Sequence, residues 1–110
     1  MAAEAVTPSD GLAEVVQRLK DAYHPQSIYL FGSQARGDEG SDSDYDLLLI
    51  VADDVPQERK SSRLAYELLK GTPIATDVLV CTRSYFEARR HLRASLPGTV
   101  LREGRLLHGQ

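Results

Sequence analysis

The feature that most constrains the fold is a run of five apolar residues, 47–51, directly preceded by Asp44, Tyr45 and Asp46. A short run that is apolar on both faces is typical of a strand in the middle of a sheet. Side chains alternate between the two faces of a strand, so Asp44 and Asp46 share a face, with Cα atoms about 7 Å apart. We therefore expect the core to hold two carboxylates side by side at the start of a central strand.

The rest of the chain alternates between helical and strand patterns, with glycine or proline near most boundaries. Helices are predicted at 7–24, 57–69 and 84–94, with a short helical turn at 32–37 and a loop at 38–43. The helix at 84–94 is predicted to open on a capping pair, Ser84 and Glu87. Strands are predicted at 27–31, 44–51 and 74–81. Pro97 and Gly98 are predicted to form a turn, followed by a short turn of helix and a last short strand around Leu106. This order predicts an α+β fold, a two-layer arrangement of a small mixed sheet flanked by helices. The length suits one domain, residues 1–110.

A third carboxylate, Asp77, lies in the predicted strand 74–81 among apolar residues. If this strand neighbours the one that begins at Asp44, Asp77 completes a cluster with Asp44 and Asp46. Adjacent carboxylates repel each other, and a divalent cation relieves the repulsion. Carboxylate oxygens are ligands that suit Mg²⁺. An acidic loop is more often simply solvated, but the apolar strand after Asp46 argues against that interpretation here.

Gly32 and Ser33 stand between the first strand and the predicted helical turn. A glycine lets the backbone approach a ligand closely, and a serine at a helix N-terminus offers a hydroxyl and an N–H to phosphate. A glycine–serine pair alone is most often an ordinary turn. Beside a carboxylate cluster, it predicts a phosphate pocket suited to phosphoryl transfer with two metal ions roughly 3.5–4 Å apart.

Together these segments resemble a known family. The signature of the DNA polymerase β-like nucleotidyltransferase superfamily is G-S-x-A-R-G, then six residues, then S-D-x-D-L. This chain carries GSQARG at residues 32–37 and SDYDL at residues 43–47, with five residues between them. The ending, residues 97–107, resembles the minimal nucleotidyltransferase (MNT) branch of that superfamily, so the resemblance covers nearly the whole chain.

The resemblance implies a polymerase β-like nucleotidyltransferase fold and transfer of a nucleotidyl group from ATP with two Mg²⁺ ions. It implies that Asp44 and Asp46 hold both metal ions. Asp77 would help to bind the catalytic metal ion and would orient the acceptor. All three are then the predicted catalytic residues.

By the same resemblance, Gly32 and Ser33 contact the triphosphate. Arg36 either holds a phosphate or braces the loop through an acidic neighbour, and the sequence leaves both roles open. Asp42 forms an alternative D-x-D pair with Asp44. Because the apolar strand continues from Asp46, Asp42 is predicted to fall in the loop and to have no catalytic role.

Charge is unevenly distributed along the chain. Residues 1–82 carry seven lysines and arginines against fourteen acidic residues, whereas residues 83–110 carry six arginines against two glutamates. Arg89, Arg90 and Arg93 are predicted to share one late helix. This basic surface is either a solvated helix face or a docking surface for an acidic partner or for phosphates. A net charge of −3 makes nucleic acid the weaker candidate for a direct substrate.

Larger members of the superfamily carry an additional domain for the acceptor, and 110 residues leave no room for one. The resemblance implies a separately encoded helical HEPN-domain partner in a toxin–antitoxin system, in which the MNT protein is the antitoxin and adenylylates a tyrosine of the HEPN ribonuclease. We therefore predict AMP transfer from ATP to a hydroxyl of such a partner. The alternatives are a nucleotide-binding antitoxin that acts by contact alone and transfer to a small molecule such as an aminoglycoside. A homo-oligomer stays open.

A cytoplasmic location is expected. The chain has no apolar run near the ~20 residues that cross a bilayer, and its N-terminus lacks the pattern of a secretion signal. Its single cysteine, Cys81, excludes an internal disulfide and is predicted to be a small core residue.

Overall fold

A computed structural model describes residues 10–32, 44–72 and 74–109. Its centre is one four-stranded sheet with the strand order β3-β2-β1-β4. The strands are β1 (Ser27–Phe31), β2 (Tyr45–Val51), β3 (Thr76–Thr82) and β4 (Arg105–Gly109). β1 runs antiparallel to both β2 and β4, whereas β2 and β3 are parallel. The predicted mixed sheet is confirmed, and residues 47–51 of the inner strand β2 are all buried, as their composition indicated.

Within the described ranges, four α-helices and one 3₁₀ helix accompany the sheet. They are α1 (Asp10–Tyr23), the 3₁₀ helix (Gln57–Lys60), α2 (Arg63–Leu68), α3 (Arg83–Arg89) and α4 (Leu96–Glu103). The apolar face of α1 packs with α2 on one face of the sheet and forms the larger hydrophobic core. On the other face, Phe86 of α3 and Val100 of α4 cover Leu48 and Ile50. The predicted turn and loop at 32–43 lie outside the described residues from position 33 onward.

The helix predicted over 57–69 is interrupted by a side chain from α1. The fully buried Tyr23 donates a hydrogen bond from its hydroxyl to the carbonyl of Ser61 (2.6 Å) and accepts one from the N–H of Ala65 (2.9 Å). In a continuous helix, the N–H of Ala65 would bond directly to the carbonyl of Ser61. The hydroxyl is inserted into that bond, which divides the segment into the 3₁₀ helix and α2.

Replacing Tyr23 with phenylalanine should destabilise the fold. The change leaves the buried N–H of Ala65 without its partner, which costs about 1–3 kcal/mol. For a domain of this size each kcal/mol lowers the melting temperature by roughly 4–8 °C. Thermal unfolding measures the effect, with Tyr66→Phe as the control because Tyr66 is largely exposed. Equal melting temperatures for both variants would contradict the bridging role of Tyr23.

The start of the late helix differs from the prediction. The prediction that Ser84 and Glu87 cap this helix is wrong. α3 is capped two residues earlier by Thr82, whose hydroxyl accepts a hydrogen bond from the N–H of Tyr85 (3.3 Å). The N–H of Ser84 instead donates to the carboxylate of Asp53 (2.9 Å). This contact between distant parts of the chain has no local sequence signal, so the capping pattern was misleading.

The end of the late helix also differs. α3 ends at Arg89, and a second helix, α4, begins at Leu96. Pro97 and Gly98, predicted to form a turn, lie in the first turn of α4, where the hydroxyl of Ser95 accepts a hydrogen bond from Gly98 N–H (3.1 Å). Proline is favoured at such a position because its ring presets the helical φ. Arg93 therefore does not share a helix with Arg89.

No helix in the part of the chain that the structure describes is long and apolar enough to cross a membrane. The cytoplasmic location stays a prediction.

Candidate functional site

The parallel pairing of β2 with β3 brings two of the predicted carboxylates together. Asp46 and Asp77 are direct partners in the register of the two strands. Neighbouring strands lie about 4.8 Å apart, and residues in register share a face. Asp44 directly precedes β2 and, like Asp77, is exposed, whereas Asp46 is half-buried. The expectation that the second and third strands are neighbours is confirmed.

The charges of the other two carboxylates act on Asp46. Burial raises the pKa of Asp46 above its ordinary value, and the negative charges of Asp77 and then Asp44 raise it further. Both neighbours disfavour the ionised form because like charges repel at short range. The site therefore concentrates negative charge around one half-buried side chain, which favours a cation.

Gly32 is adapted to this carboxylate in two ways. Its φ of +79° lies in the left-handed region that glycine adopts without strain. A Cβ at this position would collide with the Oδ2 atom of Asp46 and would lie 3.3 Å from its Cγ. The preceding residue, Phe31, pairs with Asp46 across β1 and β2. The end of β1 is thus held against Asp46, and a larger residue at position 32 would be strained and would displace the carboxylate.

The carboxylates share a sheet face with the smaller hydrophobic core. Leu48 and Ile50 follow Asp46 at the two-residue period of the strand, and both are buried beneath Phe86 and Val100. The helices α3 and α4 therefore cover one end of this face, and the carboxylates lie at the other end, where Asp77 is exposed. A ligand can reach Asp77 from solvent.

The donor set suits a hard cation, since carboxylate oxygens are the ligands that Mg²⁺ prefers. Within residues 10–32, 44–72 and 74–109, no group of three histidine, cysteine, aspartate or glutamate side chains is already arranged to hold a metal ion. A cation bound by Asp44, Asp46 and Asp77 would offset their mutual repulsion.

Three residues of the sequence analysis lie outside the described residues: Ser33, Arg36 and Asp42. The phosphate contacts of Ser33 and Arg36 stay predictions, as does the exclusion of Asp42 from catalysis.

A groove along β3, just beyond Asp77, was not predicted from the sequence, and we call it the β3 groove. It has a volume of about 630 Å³. Its apolar lining is Leu48, Leu79, Val80, Cys81, Tyr85 and Leu96, and its polar lining is Lys60, Ser61, Ser62 and Thr82. Leu79 and Cys81 follow Asp77 at the two-residue period of a strand. The sequence could therefore have predicted that all three side chains lie on the same face of β3. Burial raises the pKa of the Cys81 thiol to about 11, so the thiol is uncharged at neutral pH.

Two of the three arginines predicted to form a basic helix face have intramolecular contacts. The guanidinium of Arg89 lies 4.0 Å from the ring centre of Tyr85. Arg90 forms an ion pair with Glu87 (3.2 Å), which also pairs with Arg83 (3.2 Å). The pKa of Glu87 is lowered chiefly by its hydrogen bond to Arg90. The basic surface is therefore partly neutralised by its own helix.

The family profile of the nucleotidyltransferase domain matches residues 12–107. The chain belongs to this nucleotidyltransferase family. The match includes every predicted site residue and nearly the whole described fold. A search of curated proteins found no significant match.

Several solved structures with a similar fold are toxin–antitoxin complexes. One is a toxin–antitoxin with AMP-PNP (23% identity, TM-score 0.59, 93% of this chain and 75% of that chain). Another is a tyrosine-to-alanine mutant of the toxin–antitoxin MntA–HpeT (25% identity, TM-score 0.60, 90% of this chain and 72% of that chain). A third is a tri-AMPylated HEPN toxin of Shewanella oneidensis in complex with MNT antitoxin (23% identity, TM-score 0.55, 91% of this chain and 71% of that chain). These likenesses confirm the predicted nucleotidyltransferase fold and agree with the predicted MNT branch.

Proposed function

We propose that this nucleotidyltransferase uses Mg²⁺ to transfer AMP from ATP to a hydroxyl. The proposed acceptor is a tyrosine of a separately encoded helical HEPN-type toxin, and the proposed role of this chain is that of the antitoxin. The observation that carries the proposal is the in-register pairing of Asp46 with Asp77 beside Gly32. It joins the predicted metal site to the predicted phosphate-binding turn. We further propose that residues 1–110 form one such domain.

The proposed roles follow the position of each side chain. Asp44 and Asp46 hold two Mg²⁺ ions, and Asp77 helps to hold the catalytic one and orients the acceptor. Two metal ions bound in this way stabilise the charge on the attacking and leaving oxygens. Gly32 and Ser33 contact the triphosphate, and Arg36 holds a phosphate or braces the loop. The raised pKa of Asp46 supports a cation at this position, because a cation offsets the repulsion.

The reaction is a substitution at phosphorus. The acceptor oxygen forms a bond to the α-phosphorus of ATP, and the bond from that phosphorus to the oxygen bridging to the β-phosphorus breaks. Pyrophosphate leaves with the bonding electron pair, and the hydroxyl proton is released to solvent. The task of the protein is to align the acceptor oxygen, the α-phosphorus and the leaving pyrophosphate, and to balance their charge.

The neighbouring structures support the choice of partner. One of them is described as an AMPylated HEPN toxin bound to an MNT antitoxin, and another as a toxin–antitoxin with an ATP analogue. The basic surface contributes less support than the sequence suggested, since Arg90 pairs with Glu87 and Arg89 stacks on Tyr85.

The direct test combines the purified chain, Mg²⁺ and the helical protein encoded by the adjacent gene with ATP labelled at the α- or the γ-phosphate. We expect label on the partner from α-labelled ATP alone, with a mass increase of one AMP. Label from γ-labelled ATP would indicate phosphorylation instead. A partner that binds and is inhibited without gaining mass would establish the alternative, an antitoxin that acts by contact alone.

A further inference from the structure

The β3 groove lies on the opposite side of the carboxylates from the predicted phosphate site. The strand order places β1, which ends beside Gly32, next to β2 with Asp46, and then β3 with Asp77 at the edge of the sheet. The groove lies along this edge strand and includes Leu79, two residues beyond Asp77. A molecule in the groove is therefore close to Asp77 and distant from Gly32.

The lining of the groove is unusual for a surface next to an acidic site. Leu79 and Tyr85 expose 40% and 45% of their surface, and Leu48, Cys81 and Leu96 form the floor and wall. Exposed apolar side chains that line one concave surface mark a binding site more often than isolated ones do. The stacked guanidinium of Arg89 holds the ring of Tyr85 at the groove's border. The apolar part of this lining suits an aromatic group, and Lys60, Ser61, Ser62 and Thr82 add polar groups along the same groove.

The geometry of the reaction assigns this groove a substrate, an argument that rests on the proposed function. In an in-line displacement, the attacking oxygen and the leaving pyrophosphate lie on opposite sides of the α-phosphorus. If the triphosphate binds beside Gly32, pyrophosphate leaves on the β1 side. The acceptor must then approach from the β3 side, which carries Asp77 and, two residues beyond it, Leu79 of the groove.

We propose that the β3 groove receives the acceptor and that Leu79 and Tyr85 select an aromatic hydroxyl, the phenol of a tyrosine, over the aliphatic hydroxyl of serine or threonine. The ring packs between the two exposed side chains and its hydroxyl points toward Asp77. A volume of about 630 Å³ accommodates this ring together with neighbouring residues of its chain. A phenol also loses its proton at about pH 10, far more readily than an aliphatic alcohol.

The test compares two leucines of similar exposure on opposite edges of the sheet. Leu79 on β3 is 40% exposed, and Leu106 on β4 is 38% exposed. Threonine at either position keeps a side chain that strands favour. For Leu79→Thr, we expect kcat/KM for AMP transfer to the helical partner to fall about tenfold, the scale of an altered apolar pocket. Leu106→Thr should match the wild type, and Leu79→Met, which stays apolar, should keep most of the activity.

A second measurement isolates acceptor chemistry. N-acetyl-tyrosinamide should accept AMP better than N-acetyl-serinamide with the wild-type enzyme, and Leu79→Thr should reduce that preference. The affinity for Mg·AMP-PNP, measured by calorimetry, should be the same in wild type and Leu79→Thr. Weaker nucleotide binding in Leu79→Thr would overturn the proposal, because the groove would then hold the nucleoside. Equal transfer by Leu79→Thr and Leu106→Thr would overturn it as well.

The proposed function and the groove fail in different ways. If the wild type transfers no label to any acceptor, the proposed function is wrong. The groove is then judged by the affinity of the helical partner for the AMP-PNP-bound chain, which requires no transfer. Binding weakened in Leu79→Thr and unchanged in Leu106→Thr would support the groove as the partner's docking site, and equal affinities would refute it.

Discussion

Replacing Asp46 with asparagine is expected to abolish nucleotidyl transfer while making the metal-free protein more stable. Asp46 is the half-buried member of the carboxylate cluster and the partner of Asp77 in the register. Metal ions contribute several kcal/mol to stabilising the transition state, and each 1.36 kcal/mol is tenfold in rate. We therefore expect a loss on the order of 10³-fold in the rate of label transfer to the partner.

The expected gain in stability follows from the direction of the pKa shift. Burial and then the charges of Asp77 and Asp44 raise the pKa of Asp46 in the folded state. A carboxyl with a raised folded-state pKa stabilises the fold below its unfolded pKa of about 3.9, and this stabilisation is lost as pH rises through the folded value. At neutral pH the charged group is unfavourable, and asparagine removes that charge. The melting temperature of Asp46→Asn without Mg²⁺ should exceed that of the wild type at pH 7, with the difference disappearing near about pH 4.

Two controls separate this result from a general effect of removing negative charge. Asp54→Asn removes an exposed carboxylate outside the cluster and should change neither transfer nor stability. Asp42→Asn changes the alternative D-x-D pair and should keep most of the activity. Full transfer by a folded Asp46→Asn protein would refute the metal assignment. A lower melting temperature at pH 7 would refute the electrostatic account of the site.

Replacing Gly32 with alanine should impair both the fold and the site. An alanine at the φ of +79° is strained by roughly 1–2 kcal/mol, and its Cβ would collide with the carboxylate of Asp46. Either the end of β1 or the side chain of Asp46 must move. A misplacement of about 1 Å in a catalytic group can reduce the rate about 10²-fold. Thermal unfolding and the rate of label transfer, measured on the same preparation, test both effects.

Gly71 provides a matched control for Gly32. Its φ is +84°, and a Cβ there would meet only open space among the described residues. Gly71→Ala therefore carries the backbone strain without the collision, and it lies outside the carboxylate cluster. We expect it to lower the melting temperature only by the part that backbone strain contributes at Gly32, while transfer remains near wild type. If Gly71→Ala lost as much activity as Gly32→Ala, the effect at Gly32 would be general destabilisation rather than displacement of Asp46.

The local patterns of the chain predicted the central strand, the two aspartates at its start and the glycine that ends β1. These features are encoded by neighbouring residues, since an apolar run and the two-residue period of a strand are local properties. The motif at residues 32–37 and 43–47 also predicted the family, which the family profile confirmed. The catalytic roles of these residues stay proposals.

Only the tertiary structure determined which distant residues meet. The pairing of Asp46 with Asp77 depends on β3 lying parallel to β2, which the sequence allowed but did not require. Tyr23 divides a segment that looks like one helix, because its hydroxyl lies between two residues some forty positions away along the chain. The groove beside Asp77 likewise combines a strand with helices α3 and α4. Local patterns predict the elements, whereas their contacts are selected by the packing of the whole core and by hydrogen bonds between remote segments.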